Sequence, residues 1–401
     1  MLFLLMPQML SLRLVKIVAV LPRFPYPLDK GDKLRAYHLL RQLSRRHQIY
    51  IFALTDSSLS AEDYKAVEQF AAAVEVFRLP RRRILFRLFG NVFSRLPFQT
   101  AYHTDSRALR RFRAFVKIHN PDAVFCQLIR TGEFAKGITC KRVLDFQDAL
   151  SENMRLRIGR KNPFLRLLFR MEYKRLLAYE CEMPNRFRSL CIISEKDRQA
   201  LPESVRAQTR IVGNGVDIQF YKPLQVQTKT IDLLFVGAMS YRPNIEAAIF
   251  LVKQVMPLLK QKGLNLNISI VGADPVAEVK ALTSEKVTVT GRVEDTRPYY
   301  ASARLMVAPM FISTGVQNKI LEAAAMLLPV VTTPQAAEAV GNPGKKCFAE
   351  ASTADEFAEK IAYLLQNSDI SSAYSRHAYA YVQQHFSWEF CARQLENCLQ
   401  A

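Results

Sequence analysis

The chain has 401 residues, 49% of them hydrophobic and 23% charged. This is too long for one ordinary core, holds enough apolar material for two, and excludes a disordered or low-complexity protein. The formal charge of +20 is confined to one half: residues 1–212 carry 39 Lys/Arg against 19 Asp/Glu, whereas residues 213–401 carry 17 of each.

The opening "MLFLLMPQMLSLRLVKIVAVLP" is apolar but interrupted by Pro7, Arg13 and Lys16, and no later uncharged run reaches bilayer length. Because it leads straight into the apolar run 14–22, a buried strand is expected there and not a signal peptide. A helix is expected over residues 33–46, where Leu34, Tyr37, Leu40 and Leu43 recur at helical spacing. Strands follow at "QIYIFALT", "VEVFRLP", "DAVFCQL", "KRVLDF", "SLCIISE" and "RIVGN", then at "IDLLFVGAM", "LNISIVG", "VTVTG", "LMVAP" and "PVVTT". Short apolar strands alternating with helices predict parallel sheets with right-handed crossovers. The expected fold is α/β, with two Rossmann-like, doubly wound domains facing a cleft. The glycine-rich "VGNGVD" (212–217) marks their boundary. The domains are thus 1–213, 214–384, and a last segment 385–401 expected to be a helix packing back toward the first domain.

Seven cysteines, none in a CxxC pair, read as reduced and mostly buried thiols of a cytoplasmic protein, not as a zinc or disulfide framework. Six histidines form no ligand-spaced cluster, and no DxD-like pair precedes a phosphate site, so neither metal nor cofactor is expected.

Chemistry concentrates at "STGVQNKILEAAA" (313–325), behind the strand "LMVAP". A helix starting near Gly315 or Val316 would offer the free amides of Gly315, Val316, Gln317 and Asn318 to an anion. Gly315 gives close approach, Lys319 adds charge, and Glu322, unsuited to phosphate, suits ribose hydroxyls. Together they describe a nucleoside diphosphate; the plain alternative is a capped helix with a solvated polar face.

The segments "GAMSYRPNIEA", "GRVEDTRPYYASARLMVAP" and "STGVQNKILEAAAMLLPVVTT", with "VGNGVDIQFY" and "HFSW", resemble retaining glycosyltransferases of family four. The wording is closest to sugar transferases of bacterial exopolysaccharide systems. The resemblance spans nearly the whole chain and implies the GT-B fold, a nucleotide-sugar donor held by the second domain, and transfer to a saccharide or lipid-linked acceptor. It implies that Glu322 holds the donor ribose, that Gly237 lies against the diphosphate, and that Arg292 falls where the nucleobase is contacted. Two departures stand out: Thr314 replaces a glutamate of the Glu-x7-Glu signature, and Gln147-Asp148 replaces a His-Asp pair. The family's basic residues after Gly237 are out of register, leaving Arg242 or Lys319, or Arg292 with the loops folded inward, to supply charge. Lys319, Arg242 and Asp148 are the candidate catalytic residues, Asp148 and Asp145 being equally readable as strand-end caps.

In the first domain, "PRFPYPLDKGDKLRAYH" (22–38) resembles the acceptor-side glycine loop. Gly31, Asp32, Lys33 and Arg35 are therefore the candidate acceptor residues, with Lys33 and Arg35 meeting the pyrophosphate of a lipid-linked acceptor and Asp32 equally readable as a helix cap. Two stretches, 78–98 and 154–180, interleave Arg with Leu, Ile and Phe. They suit an anionic membrane surface, and the protein is expected in the cytoplasm, peripheral on the inner face of the bacterial plasma membrane. A helix with one packed and one solvated basic face is the plainer reading of these stretches. No nucleic-acid-binding motif occurs; the competing function is a non-catalytic membrane- or nucleic-acid-binding module on a GT-B scaffold.

Overall fold

The computed structural model describes residues 14–158, 163–226, 228–312 and 315–400. The apolar opening before Leu14, and Thr314 with its missing carboxylate, lie outside the described residues. Contacts divide the chain into two units. One runs to Gly213 and takes in the chain from Cys391 on; the other is Asn214–Phe390.

The first unit is built on β1 (Lys16–Leu21), β2 (Gln48–Thr55), β3 (Ala73–Arg78), β4 (Ala123–Gln127), β5 (Lys141–Asp145), β6 (Ser189–Ile192) and β7 (Thr209–Ile211). All pair in parallel in the order β3-β2-β1-β4-β5-β6-β7. Ile17 sits opposite both Ile49 and Ala123, and Ile17 through Leu21 are fully buried, as expected of a central strand covered on both faces. Strand order reverses between β1 and β4, where sheets of this kind open a crevice beyond their carboxyl ends. The first helix, Gly31–Leu43, starts two residues before the expected position and buries Ala36, Leu39, Leu40 and Leu43.

The second unit carries β8 (Ile231–Val236), β9 (Ile268–Val271), β10 (Val287–Val289), β11 (Ala303–Ala308), β12 (Val330–Thr332) and β13 (Ala349–Glu350), in the order β10-β9-β8-β11-β12-β13 and again parallel. Its reversal lies between β8 and β11. Leu233, Leu234 and Phe235 of β8 and Leu305 through Ala308 of β11 form the middle of its core.

The basic stretch 154–180 spans parts of two helices, Leu150–Ile158 and Pro163–Arg186. Leu176 is buried while Leu167 faces solvent, so only part of the apolar spacing serves the core. The last helix, Trp388–Gln400, buries Trp388, Leu395 and Cys398. No helix among the described residues is long and apolar enough to cross a membrane.

Candidate functional site

In the second unit a cavity of about 520 Å³ opens beyond the carboxyl ends of β8, β9 and β10, against the first turn of the helix Asn318–Ala325. Backbone crowding shapes its floor. A Cβ at Gly272, whose φ is +153°, would lie 1.8 Å from the Gly237 carbonyl oxygen, and one at Gly237 would lie 2.6 Å from Asn244 Nδ2. Only glycine permits this approach. Gly237 lines the cavity, but its bare Cα makes room first for the Asn244 side chain.

Lys319 lines the cavity and is turned inward, only 9% exposed. Its Nζ donates to Asn244 Oδ1 at 2.5 Å, approaches Met310 Sδ at 3.5 Å and lies 4.8 Å from the Phe235 ring centroid. Asn244 Nδ2 donates to the Ala238 carbonyl at 3.0 Å, which keeps the amide oxygen toward the lysine. The Thr332 and Thr333 hydroxyls bond the Ala308 and Met310 carbonyls and pin the chain leaving β11. Burial pushes the Lys319 pKa down to about 7, partly countered by Glu322. Among the described residues no carboxylate forms an ion pair with it. A sheltered amine held by a neutral amide, close to half-charged at neutral pH, favours an incoming anion.

Glu322 lies one turn further on and also lines the cavity. Burial raises its pKa, while the Tyr300 and Tyr221 hydroxyls and Lys319 favour its charged form. Tyr300, fully buried, donates to Oε2 at 2.8 Å. A carboxylate has about four acceptor positions, so two tyrosines orient Glu322 and leave capacity for ligand hydroxyls. Asn244, Tyr221 and Tyr300 were absent from the sequence-based site. Only the small polar Asn244 in the first turn after a strand-glycine loop is a signal available without coordinates.

The helix itself begins at Asn318, two or three residues later than expected, because Gln317 is extended (φ −92°, ψ 109°) and serves as its N-cap residue without a side-chain cap. Gln317 Nε2 instead donates to the Gly315 carbonyl at 3.3 Å. Val316, Gln317 and Asn318 line the cavity; Gly315, expected there, is not among the lining residues, and a Cβ on it would meet no described atom beyond its chain neighbours within 4 Å. Arg292, after Gly291, lines it too and remains solvated, 4.0 Å from Asp274. Arg242 departs from its expected role. It points to solvent and pairs with Glu246 (2.8 Å) and Glu278 (3.2 Å), outside the residues lining the cavity. Its helix start directs it along its own helix, toward the carboxylate four residues on.

The residues expected at the acceptor are differently placed. Arg35 is fully buried: Nε and Nη2 bond Asp145 at 2.6 and 3.2 Å, and Nη1 and Nη2 bond the Gly213 and Val212 carbonyls at 2.7 and 2.8 Å. It ties the first helix to β5 and to the chain leaving β7, a structural duty in place of the expected pyrophosphate contact. Lys33 pairs with Asp29 and Asp32 with Arg23, while a Cβ at Gly31 would meet no described atom beyond its chain neighbours within 4 Å. Asp148 is half-buried, and burial with the charges of Asp197 and Asp145 raises its pKa to about 6. The preceding Gln147 has φ +61°, uncommon for a residue with a side chain, and its buried Oε1 has no partner among the described residues. No three described His, Cys, Asp or Glu residues gather where a metal ion could be held.

Residues 230–367, which contain Gly237, Arg292, Lys319 and Glu322, match the family model described as "Glycosyl transferases group 1". No curated protein matches the sequence. Among solved structures, a glycosyltransferase from Rickettsia africae is 15% identical with a TM-score of 0.66, over 97% of this chain and 98% of its own. Anabaena HepE, solved in complex with UDP, is 15% identical with a TM-score of 0.66, over 96% and 99%. Sucrose-phosphate synthase from Thermosynechococcus elongatus is 13% identical with a TM-score of 0.64, over 96% and 98%. The fold is that of the GT-B glycosyltransferases, and with the family match it supports a glycosyltransferase.

Proposed function

We propose that the protein moves a sugar from a nucleoside-diphosphate sugar to a saccharide acceptor carried on a lipid. Transfer proceeds with retention and without a metal, in the synthesis of an exopolysaccharide or other cell-surface glycan. One observation carries the donor half: a single cavity holds an oriented carboxylate, Glu322, and a sheltered amine, Lys319, one helix turn apart. Glu322 accepts the ribose hydroxyls. Lys319 and the uncapped amides at Asn318 meet the diphosphate, and Arg292 with Val293 and Thr296 flanks the base. The complexes of HepE with UDP and with UDP-glucose make UDP the first nucleotide to test.

Catalysis in this reading consists mainly of stabilising the charge that grows on the departing diphosphate, which also takes the acceptor proton. Lys319 is suited to that work, because a sheltered amine whose charge no described carboxylate pairs interacts strongly with an anion that builds up beside it. The first unit is assigned to the acceptor and to an anionic membrane. Its charge supports this, as do the exposed Leu85, Phe86, Phe89 and Phe93 on the helix Arg81–Gly90 and the turn behind it. Each basic residue near such a surface contributes about 1 kcal/mol.

Titration with nucleoside diphosphates, followed by thermal unfolding, tests the donor half. One diphosphate should raise the melting temperature at concentrations well above its Kd, and the matching nucleotide sugar should be slowly hydrolysed. A chain that no nucleoside diphosphate stabilises has no donor site of this kind.

A further inference from the structure

A second cavity, of about 370 Å³, lies in the first unit beyond the carboxyl ends of β1, β2 and β3. None of the four residues proposed from sequence for the acceptor lines it. Arg23 and Arg130 bring charge to it, and Leu79, Leu88 and Phe98 bring apolar surface.

The two arginines differ in what they already hold. Arg23 pairs with Asp32 at 2.7 Å. Arg130 is half-buried, and its Nε and Nη2 donate to the neutral Gln99 Oε1 at 3.2 and 2.8 Å. Among the described residues no carboxylate forms an ion pair with Arg130. Burial lowers its pKa; Arg23 and Arg157 repel it, and Asp32 and Asp148 attract it from beyond ion-pair distance. Among the described residues the one carboxylate lining the cavity, Asp56, already accepts the Tyr102 hydroxyl at 2.8 Å. A sheltered guanidinium left with an amide and a second arginine has charge to match.

A neutral acceptor sits beside them. The His103 ring is buried, and its Nδ1 donates to the Gln99 carbonyl at 2.9 Å, a tautomer that leaves Nε2 a lone pair to which no described group donates. These positions are firmly held. Glu172 accepts from the Phe98 and Gln99 amides at 2.8 and 3.1 Å and caps the helix Phe98–His103, while Arg87 reaches Asp105 and the Tyr102 carbonyl, both at 3.1 Å. Arg87 belongs to the helix Arg81–Gly90, as does Leu88, and within one turn of Leu88 that helix exposes Leu85, Phe86 and Phe89, 70–80% open to solvent. Apolar surface thus continues from the cavity onto the outside of the unit.

We infer that this cavity binds a phosphate-bearing amphiphile: its phosphate lies between Arg23 and Arg130, a hydroxyl donates to His103 Nε2, and its apolar chain runs along Leu79 and Leu88 and out over Leu85 and Phe89. That the amphiphile is the sugar acceptor rests on the glycosyltransferase reading; that it binds does not. A strongly basic unit offering an apolar exit beside a cation pair matches an anionic amphiphile in both charge and surface.

Calorimetric titration of the full chain with octyl phosphate, octyl glucoside and inorganic phosphate, all monomeric, tests this. Octyl phosphate should bind at least tenfold more tightly than either of the others. Arg130→Gln, Arg23→Gln and Leu88→Asn should each weaken it at least fivefold and leave UDP affinity within twofold. Equal affinity for inorganic phosphate would make this a phosphate site alone, and equal affinity for octyl glucoside would make it an apolar surface alone; either overturns the inference, as does unchanged binding in Arg130→Gln. If Arg130→Gln does not fold, Arg23→Gln decides, since 37% of its side chain is open to solvent. A parent chain that binds octyl phosphate but no nucleoside diphosphate supports this inference and overturns the donor reading. The reverse pattern overturns this inference alone.

Discussion

Lys319 should take up a proton when a nucleoside diphosphate binds. In the ligand-free protein burial holds its pKa at about 7, with Glu322 the main opposing charge. One phosphate charge about 4 Å away, at an effective dielectric of about 20, contributes about 4 kcal/mol, which raises the amine's pKa by nearly 3. The sign follows: the bound state holds the proton more tightly, so binding consumes protons wherever the free amine is partly neutral. The uptake should be about 0.1 proton at pH 6, about 0.5 at pH 7 and about 0.9 at pH 8. Above pH 7 this one group should weaken binding by up to about 1.4 kcal/mol, or tenfold, per pH unit.

The measurement is calorimetric titration with UDP in buffers of different ionisation enthalpy, whose slope gives protons exchanged. Lys319→Met is the reference, because Tyr221 and Tyr300 remain in it and the proton uptake of the nucleotide phosphate subtracts out. A parent protein with the same proton count as Lys319→Met at pH 8 would refute the argument, and Lys319 would then be only a packing partner of Asn244 and Phe235. If the charge matters more at the transition state than in the bound ground state, Lys319→Met should lower kcat more than it raises the Kd for UDP.

Glu322→Ala should weaken UDP binding by about 1.5–3 kcal/mol, as expected for lost hydrogen bonds to a charged group, and unchanged affinity in a folded variant would remove it from the site. Gly315→Val should bind UDP poorly yet unfold like the parent, because a Cβ there meets no described atom beyond its chain neighbours within 4 Å; wild-type affinity would put the phosphates elsewhere. Arg35→Met should destabilise the first unit by about 3–5 kcal/mol by leaving the Asp145 charge buried and unpaired, read as an earlier urea transition with UDP affinity intact. Phe86→Asp with Phe89→Asp should abolish binding to anionic liposomes without changing UDP affinity, and undiminished binding would move the membrane contact off this helix.

Among the described residues, twelve of the thirteen strands fall on apolar runs visible in the sequence, because a buried parallel strand needs apolar residues on both faces. The exception, Ala349–Glu350, is two residues long and has no period to read. The loop behind β11 was also visible, since a glycine, a lysine and a glutamate at a strand-to-helix turn break the core pattern. Which way those side chains turn was not. A lysine in a first helical turn reads as solvated; here Asn244, 75 residues earlier, and Phe235 hold it inward. Nothing local encodes a pairing of that sequence separation. The same holds for Arg35 and Asp145, 110 residues apart, and for the cavity that brings Arg23 beside Arg130.

These three cations also show what separates a structural charge from a binding one. Arg35 is the most deeply buried, and in isolation it would be the most expensive. Yet its donors meet a carboxylate and two carbonyls within the first unit, so its charge is matched and an incoming phosphate would have to break those bonds. Lys319 and Arg130 are sheltered as well, but each has an amide oxygen where Arg35 has a carboxylate. An amide satisfies a hydrogen bond without neutralising the charge, so the field of each cation still reaches the cavity it lines. Glycine loops and helix starts drew the sequence reading to Arg35 as readily as to Lys319, because sequence shows where a charge stands and not what answers it. By that criterion each unit holds a cation whose matching anion the described chain does not supply, in a cavity at the carboxyl edge of its own sheet.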